Sequence, residues 1–510
     1  MKVSLNYGHT SMALDLPDEN YLGTLTPKDI REIEDPINEV RRALANPIGS
    51  KKLKELVSSQ DKVNILASDV SRLCPSYSLL PPILNELNEA GLSNDQITIV
   101  FGLGVHRKQT EEKKKKIVGI GEEEEENMFK KIAILGANHW GYAMSAELSQ
   151  VGYEVNLYEH PDVADNLKPI IEKGGINLIA HTPAGEPLEL PAGGKTGFVK
   201  ITGKVTSDMK EATEGVDLIM LVGPSHIRES FIRLLAPHVE DGQTIVVWPA
   251  YFGALLVAKV LKDMGVEKDV TICETESLIY TCNKTGPAQI FVRGKKEKLS
   301  LGVLPASRTE ETIEHLKKIF PQFVPAQNVL ETTFANGNPS IHPQSALLNM
   351  YRVERKFYPY SEVMGGSFYS SYDVTPGMAR VMEAVDREKI ALGEKFGLKI
   401  PTMRDTLKAF YGATGKDLYE ALLNCYAYQI QMPPTSLQHR YIAEDVPFGL
   451  VPFASLGDQL GVSVPTIKGM VAIACAATDN DYWSKGLTIE KLGLAGKTAE
   501  EIIEYVNTGS

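Results

Sequence analysis

The run MFKKIAILGANHWGYAMSAELSQVGYEVNLYE at residues 128–159 limits the possible folds of this chain most: an apolar strand pattern, a glycine turn, an amphipathic stretch and a second apolar strand pattern. A strand that turns sharply into a helix and returns as a strand needs glycine at the turn and again where helix packs on strand. Gly136, Asn138 and Gly141 stand at the spacing of G-x-G-x-x-G, with Asn138 replacing the middle glycine. Asn tolerates positive φ better than most residues, so a tight turn is still expected. In such a unit Gly136, Ala137, Asn138 and Gly141 bring backbone close to a pyrophosphate and aim a helix amino terminus at it. Eighteen residues beyond Gly141 the second strand ends in Glu159, placed to bind a ribose 2′-hydroxyl and to repel a 2′-phosphate. This favours NAD over NADP, although His160 follows directly and softens the preference, so the expected cofactor is NAD or NADP. A glycine-rich turn of some other α/β fold is the plain alternative.

At 510 residues the chain is too long for one core, and about 100–200 residues per domain suggests three. The clearest joint is at residues 111–127, EEKKKKIVGIGEEEEEN, where a block of positive charge precedes a block of negative charge. Before it, DKVNILASDV and DQITIVFGLG read as strands around the helical pattern YSLLPPILNELNEAG, which implies a parallel α/β unit. After it, β-type runs recur at 215–222, 243–248 and 269–273, and helical periodicity takes over at 375–396 and 416–431. The expected organisation is an amino-terminal α/β domain at 1–120, an acidic linker at 121–127, a Rossmann dinucleotide-binding domain at 128–325 and a helical substrate domain at 326–510. The fold class is thus α/β plus all-α.

A formal net charge of −12 argues against a nucleic-acid partner, which would need a basic face. No stretch is apolar for long enough to suggest a membrane span. Five scattered cysteines without CxxC spacing suggest neither a disulfide framework nor a metal site, and fit a reducing cytoplasm.

The stretch ANGNPSIHPQSALLN sets His342 between turn residues and an apolar helical run, and HRYIAEDVPFGLVPFASLG holds Arg440 and Asp445 among apolar and proline positions. An isolated His reads as a cap or core residue. A buried arginine and carboxylate are costly unless paired or used. Together the three make a usable set: Asp orients an imidazole that gives a proton, and Arg holds a carboxylate through a bidentate pair.

With GANHWG, ETESLIYTC at 274–282, NPSIHP with LLN, and RYIAEDVPFGLVP in this order, the chain from Met128 onward resembles the octopine/nopaline (opine) dehydrogenases. The resemblance implies a Rossmann domain followed by a helical domain, and NAD(P)H-dependent reductive condensation of an amino acid or amine with a 2-oxo acid such as pyruvate. It further implies His342 as acid/base, Asp445 as its partner, Arg440 as a substrate-binding residue and Thr275 as a substrate contact.

The amino-terminal module carries SDVSRLCPSY and GLGVHRKQT, each directly after a strand pattern, where α/β proteins bind ligands. These loops resemble the amino-terminal domain of the lactate racemase family, with Leu73 where that family has a proline. Asp69, Arg72 and His106 then form a vestigial half-site in which Arg72 matches a carboxylate binder and His106 an acid/base. The racemase half that would anchor a nickel cofactor has no counterpart, so no metal is expected.

The leading expectation is a cytoplasmic oxidoreductase of small-molecule substrates, with a homodimer as a possible assembly. Its rivals are a non-catalytic ligand-binding or sensor fusion and a reductase of simple 2-oxo or 3-hydroxy acids.

Overall fold

The computed structural model describes residues 2–7, 10–15, 36–68, 76–103, 114, 129–182, 184–355, 374–425, 428 and 434–509. The chain divides into two compact units, Met1–Glu126 and Asn127–Ser510.

In the first unit, strands β1 (Lys2–Tyr7) and β2 (Thr10–Asp15) pair antiparallel, while β3 (Val63–Ser68) and β4 (Ile97–Gly102) pair in parallel from Val63 opposite Ile97 to Ser68 opposite Gly102. The helix Ser76–Glu89 connects β3 and β4, as the sequence pattern requires. Leu80 and Leu87 from this helix and Leu92 beyond it are buried, yet Leu66 and Val100 remain exposed on the strands. The loops that carry Asp69, Arg72 and His106, and the charged joint apart from Lys114, lie outside the described residues.

The second unit is built on an eight-stranded sheet. Its strands are β5 (Lys131–Leu135), β6 (Glu154–Tyr158), β9 (Val205–Thr206), β10 (Leu218–Val222), β11 (Thr244–Trp248), β12 (Thr271–Thr275), β15 (Leu299–Leu304) and β16 (Phe323–Pro325). The order β9-β6-β5-β10-β11-β12 is the doubly wound dinucleotide-binding order, all parallel, and β15 and β16 extend it in the opposite direction. The strand patterns at 215–222, 243–248 and 269–273 correspond to β10, β11 and β12. β10 (LIMLV) and all of β11 (TIVVW) but its first residue are apolar because both faces of the sheet are covered, while β12 (TICET) ends in polar residues.

One face, with Ala133, Leu135, Ile245 and Val247, shares a core with Phe334, Phe453, Val451 and Ile467 of the helical region. The other face, with Ile132, Ile134, Val246 and Trp248, packs with a second sheet. That sheet is formed by β7 (Ile176–Ala180), β8 (Gly197–Val199), β13 (Tyr280–Gly286) and β14 (Gln289–Lys295), in the order β13-β14-β7-β8. The sequence patterns did not separate this layer, because its strands come from two distant stretches of chain.

Every element described beyond β16 is helical. The expected periodicity at 375–396 becomes the helix Pro376–Glu394, capped by the Thr375 hydroxyl, while the one at 416–431 gives Leu418–Leu423 among the described residues. Phe334 stacks on Phe453 at 5.4 Å and meets Phe252 and Phe396 edge-on or tilted, joining the helices to the sheet. With Phe334 fully buried, Phe334→Ala should destabilise the unit by about 3–5 kcal/mol in urea unfolding followed by circular dichroism.

Candidate active site

Gly136 has φ of 122°, and a Cβ there would collide with the Val222 carbonyl oxygen; a Cβ on Gly141 would collide with the Gly136 carbonyl. Glycine is therefore required at both positions. Asn138 corrects the expectation of a positive φ. Its backbone is extended at φ −86°, and it caps the helix His139–Gln150 through Oδ1, which accepts from the Trp140 and Gly141 N–H groups at 3.0 and 3.1 Å. Its Nδ2 donates to the Val222 carbonyl at 2.5 Å. Asn is used here for its two-ended amide and not for conformational freedom.

Among the described residues, the N–H groups of Asn138 and His139 have no hydrogen-bond partner. Two unpaired amides beside a turn without side chains suit the pyrophosphate of a dinucleotide. Glu159 is buried: Oε2 accepts from the Ala137 N–H at 3.2 Å and from Asn166 at 3.0 Å, and Oε1 from the His160 N–H at 2.9 Å. Its carboxylate thus braces the glycine turn from within, and the bonds it makes are not those expected of a ribose ligand.

His342 lies on the helix Asn338–Leu347, with its Nδ1 3.0 Å from Asp445 Oδ2. Asp445 is fully buried, and its Oδ1 accepts from the Tyr251 hydroxyl at 2.6 Å. Asn338 Nδ2 in turn donates to that hydroxyl at 3.2 Å. Burial and the Asp445 charge push the Tyr251 phenol well above its ordinary pKa, so it remains a donor. A carboxylate only accepts, so His342 Nδ1 carries a proton and Nε2 is left for exchange with a ligand. The imidazole lies flat on Tyr441 at 3.9 Å, with 8° between the planes. His439, on the edge of the same tyrosine, is pushed down to about 4 by burial and then by Arg440. It stays neutral, accepting from the Tyr441 N–H through Nδ1.

Tyr251 reaches Asp445 from a strained loop. Tyr251 and Phe252 have φ of 68° and 55°, which bulky residues rarely adopt. The buried Arg228 holds this loop, donating to the Ala250 and Pro249 carbonyls at 2.7 and 2.8 Å. Asp445 enters from the start of a π-helical turn, Val446–Leu450, in which Gly449 packs on Pro339 and Tyr251 where a Cβ would not fit.

Arg440 lines a cleft with Trp140, Leu278, Gln438 and Glu444. Its guanidinium lies 5.5 Å from the Trp140 ring and 3.6 Å from Glu444, and no hydrogen bond among the described residues takes it. Burial works most strongly against its charge, but Glu444, and after it Tyr251 and Asp445, together outweigh that and hold it above its ordinary pKa. Glu444 is fixed in turn by the Ser225 N–H and hydroxyl at 2.9 and 3.0 Å. The cleft therefore holds a fixed cation available to a carboxylate, next to the elements that carry the Asp445-backed imidazole. Among the described residues no three His, Cys, Asp or Glu side chains gather as metal ligands.

Residues 325–478 match the family described as NAD/NADP octopine/nopaline dehydrogenase, alpha-helical domain. The opine dehydrogenase of Arthrobacter sp. (strain 1C) is 33% identical over 374 residues, 73% of this chain and 98% of that protein. The chain belongs to the opine dehydrogenase family. An octopine dehydrogenase solved with NADH and L-arginine superposes with a TM-score of 0.59 at 18% identity, covering 74% of this chain and 98% of that one, a likeness of fold. Residues 7–139 match the lactate racemase N-terminal domain, running past the division between the units into the first strand and turn of the Rossmann sheet. The lactate racemase of Thermoanaerobacterium thermosaccharolyticum is 36% identical over 112 residues, 21% of this chain but 26% of that enzyme.

Within the opine dehydrogenase unit, His342 and Asp445 meet although 103 residues apart. Thr275 is a different case. It is fully buried and its hydroxyl donates to the Ser277 carbonyl at 2.8 Å, while its own carbonyl accepts from the Ala250 N–H at 2.7 Å. Thr275 thus secures the Tyr251 loop and does not line the cleft. Tyr251, Tyr441, Glu444 and Trp140 escaped the sequence reading. The tyrosine and proline of WPAYFG are an available cue only in hindsight, since nothing local ties Tyr251 to a residue 194 positions away. Asn138→Ala should lower stability by about 1 kcal/mol through loss of the cap, measured as a shift in the urea midpoint at unchanged m-value.

Proposed function

We propose that the chain is an NAD(P)H-dependent oxidoreductase acting on CH–NH groups, which condenses an amino acid or amine with a 2-oxo acid such as pyruvate. The observation that carries this is the His342–Asp445–Tyr251 relay in the same unit as a cleft lined by the Arg440 guanidinium, which is ion-paired with Glu444 but makes no hydrogen bond among the described residues. Gly136, Ala137, Asn138 and Gly141 would hold the dinucleotide, whose chemistry when bound is to supply the hydride. Glu159 directly after β6 braces the turn through Ala137, and it bears on the choice of NAD only through its negative charge, which disfavours a 2′-phosphate nearby.

Arg440 holds the carboxylate of the oxo acid in a bidentate pair. The amine nitrogen attacks the carbonyl carbon and gives up one of its own protons to the oxygen, which leaves as water after receiving a second proton from Nε2 of the His342 imidazolium, leaving the neutral ring with its proton on Nδ1. Carbon of the resulting protonated imine then accepts hydride, which leaves a secondary amine. Asp445 keeps Nδ1–H pointed at itself throughout, so the imidazole cannot rotate or adopt the other tautomer. Tyr251 and Asn338 hold the second carboxylate oxygen in place. Trp140 and Leu278 give the cleft apolar walls that limit water, and fixed positioning supplies much of the rate.

The test is NAD(P)H oxidation against a panel of amino acids paired with 2-oxo acids. Oxidation that requires both partners is expected; oxidation by the oxo acid alone would replace this reading with a simple 2-oxo acid reductase, and binding without turnover over the panel would leave a sensor. His342→Ala should cut kcat roughly a hundred- to ten-thousandfold while dinucleotide affinity by fluorescence titration stays near that of the parent. Arg440→Met should raise KM for the oxo acid more than tenfold, with the same dinucleotide affinity.

A further inference from the structure

Lys284 lies on β13, in the mixed four-stranded sheet and outside the Rossmann strands. Its ammonium donates to the Ala137 carbonyl in the glycine turn at 2.6 Å and lies 3.6 Å from the centre of the Tyr142 ring. Its own N–H donates to His139 Nδ1 at 2.9 Å, which ties β13 to the first residue of the turn helix. The contacts are specific, yet no carboxylate among the described residues pairs with this cation; Glu159 acts on it only through space.

A half-buried ammonium served by one carbonyl and one ring face is poorly compensated. It also stands beside a helix amino terminus, whose partial positive charge repels it, and beside unpaired Asn138 and His139 amides. Three positive features converging without an anion are unfavourable by themselves and become favourable around a phosphate.

We propose that Lys284 is a binding residue for the dinucleotide pyrophosphate, delivered to the glycine turn from the second sheet. This rests on the NAD(P) reading above. The Tyr142 ring face and the Ala137 carbonyl hold the ammonium from two sides, leaving N–H capacity for phosphate oxygens. Desolvation lowers the Lys284 pKa to about 8, with Glu159 opposing it, and the groups that face it are Glu159, His139 and Tyr142. Desolvation and then Lys284 and Arg440 lower the His139 pKa, so it is disfavoured as a competing cation. The protonated ammonium binds the anion; affinity is therefore constant well below pH 8 and falls as pH rises through about 8, well before an ordinary lysine near 10.4 would titrate.

The experiment titrates the full chain with NADH, NADPH, ADP-ribose and adenosine by calorimetry. Lys284→Met should weaken NADH, NADPH and ADP-ribose alike by about ten- to a hundredfold, the range for losing a charged hydrogen bond, and leave adenosine unchanged. Lys284→Arg should restore affinity and flatten the fall above pH 8, since arginine does not titrate there. If Lys284→Met fails to fold by circular dichroism, the Lys284→Arg pH profile carries the test. Unchanged NADH affinity in Lys284→Met, or an arginine variant with the parent's pH profile, overturns the proposal. A loss confined to NADPH overturns it in favour of a 2′-phosphate contact. Failure of the parent chain to bind any dinucleotide would instead sink the cofactor reading itself.

Discussion

A carboxylate with no exposure to water organises the catalytic half of this molecule. Asp445 accepts from Tyr251 with one oxygen and from His342 with the other, and without those donors its charge would cost several kcal/mol to bury. Satisfying it requires three separate pieces of chain to meet: the loop after β11, the helix Asn338–Leu347 and the π-helical turn after Asp445. Each carries a local penalty. The loop places two aromatic residues at positive φ, the helix has Pro343 inside it, and the turn needs Gly449 so that Pro339 and Tyr251 can approach. Strain gathered around one buried charge in this way is typical of a site whose geometry matters more than its stability.

The loop is held from below by groups that never reach the cleft. Arg228 binds two of its carbonyls, Glu274 accepts from the Ala254 N–H at 2.9 Å and from the Thr332 and Thr333 hydroxyls, and Thr275 accepts the Ala250 N–H. Burial raises the pKa of Glu274, and these donors oppose the rise. The ET pair of the family motif is therefore a foundation: it joins the end of β12 to the Tyr251 loop and to the helix Val329–Ala335. The same region holds the aromatic cluster of Phe252, Phe334 and Phe453. Sheet and helices consequently share one core, which lets residues from both halves keep a fixed geometry at the cleft.

The glycine turn follows a similar logic. Asn138 and Glu159 saturate the Ala137, Trp140 and Gly141 amides from the protein side, which fixes the turn before any ligand arrives. Preorganisation of this kind reduces the ordering cost of binding. The two amides left over, together with Lys284, mark where an anion completes the arrangement.

The sequence by itself determined the α/β and helical halves, the glycine turn and the strand–helix–strand unit of the amino-terminal module, and it singled out His342, Arg440 and Asp445 as candidates, because each rests on local patterning: period, turn chemistry and motif spacing. It did not show that Asn138 caps the turn helix, which depends on where Val222 lies, or that the Thr275 hydroxyl bonds within its own loop. Tyr251 and Lys284 were not legible at all. Neither stands in a pattern that differs from ordinary strand or loop, and their importance arises only where β13 crosses the turn helix and where the loop after β11 meets Asp445. Only the tertiary structure decided those meetings, because hydrogen bonds to a buried charge are set by which distant segments the shared core brings together and not by distance along the chain.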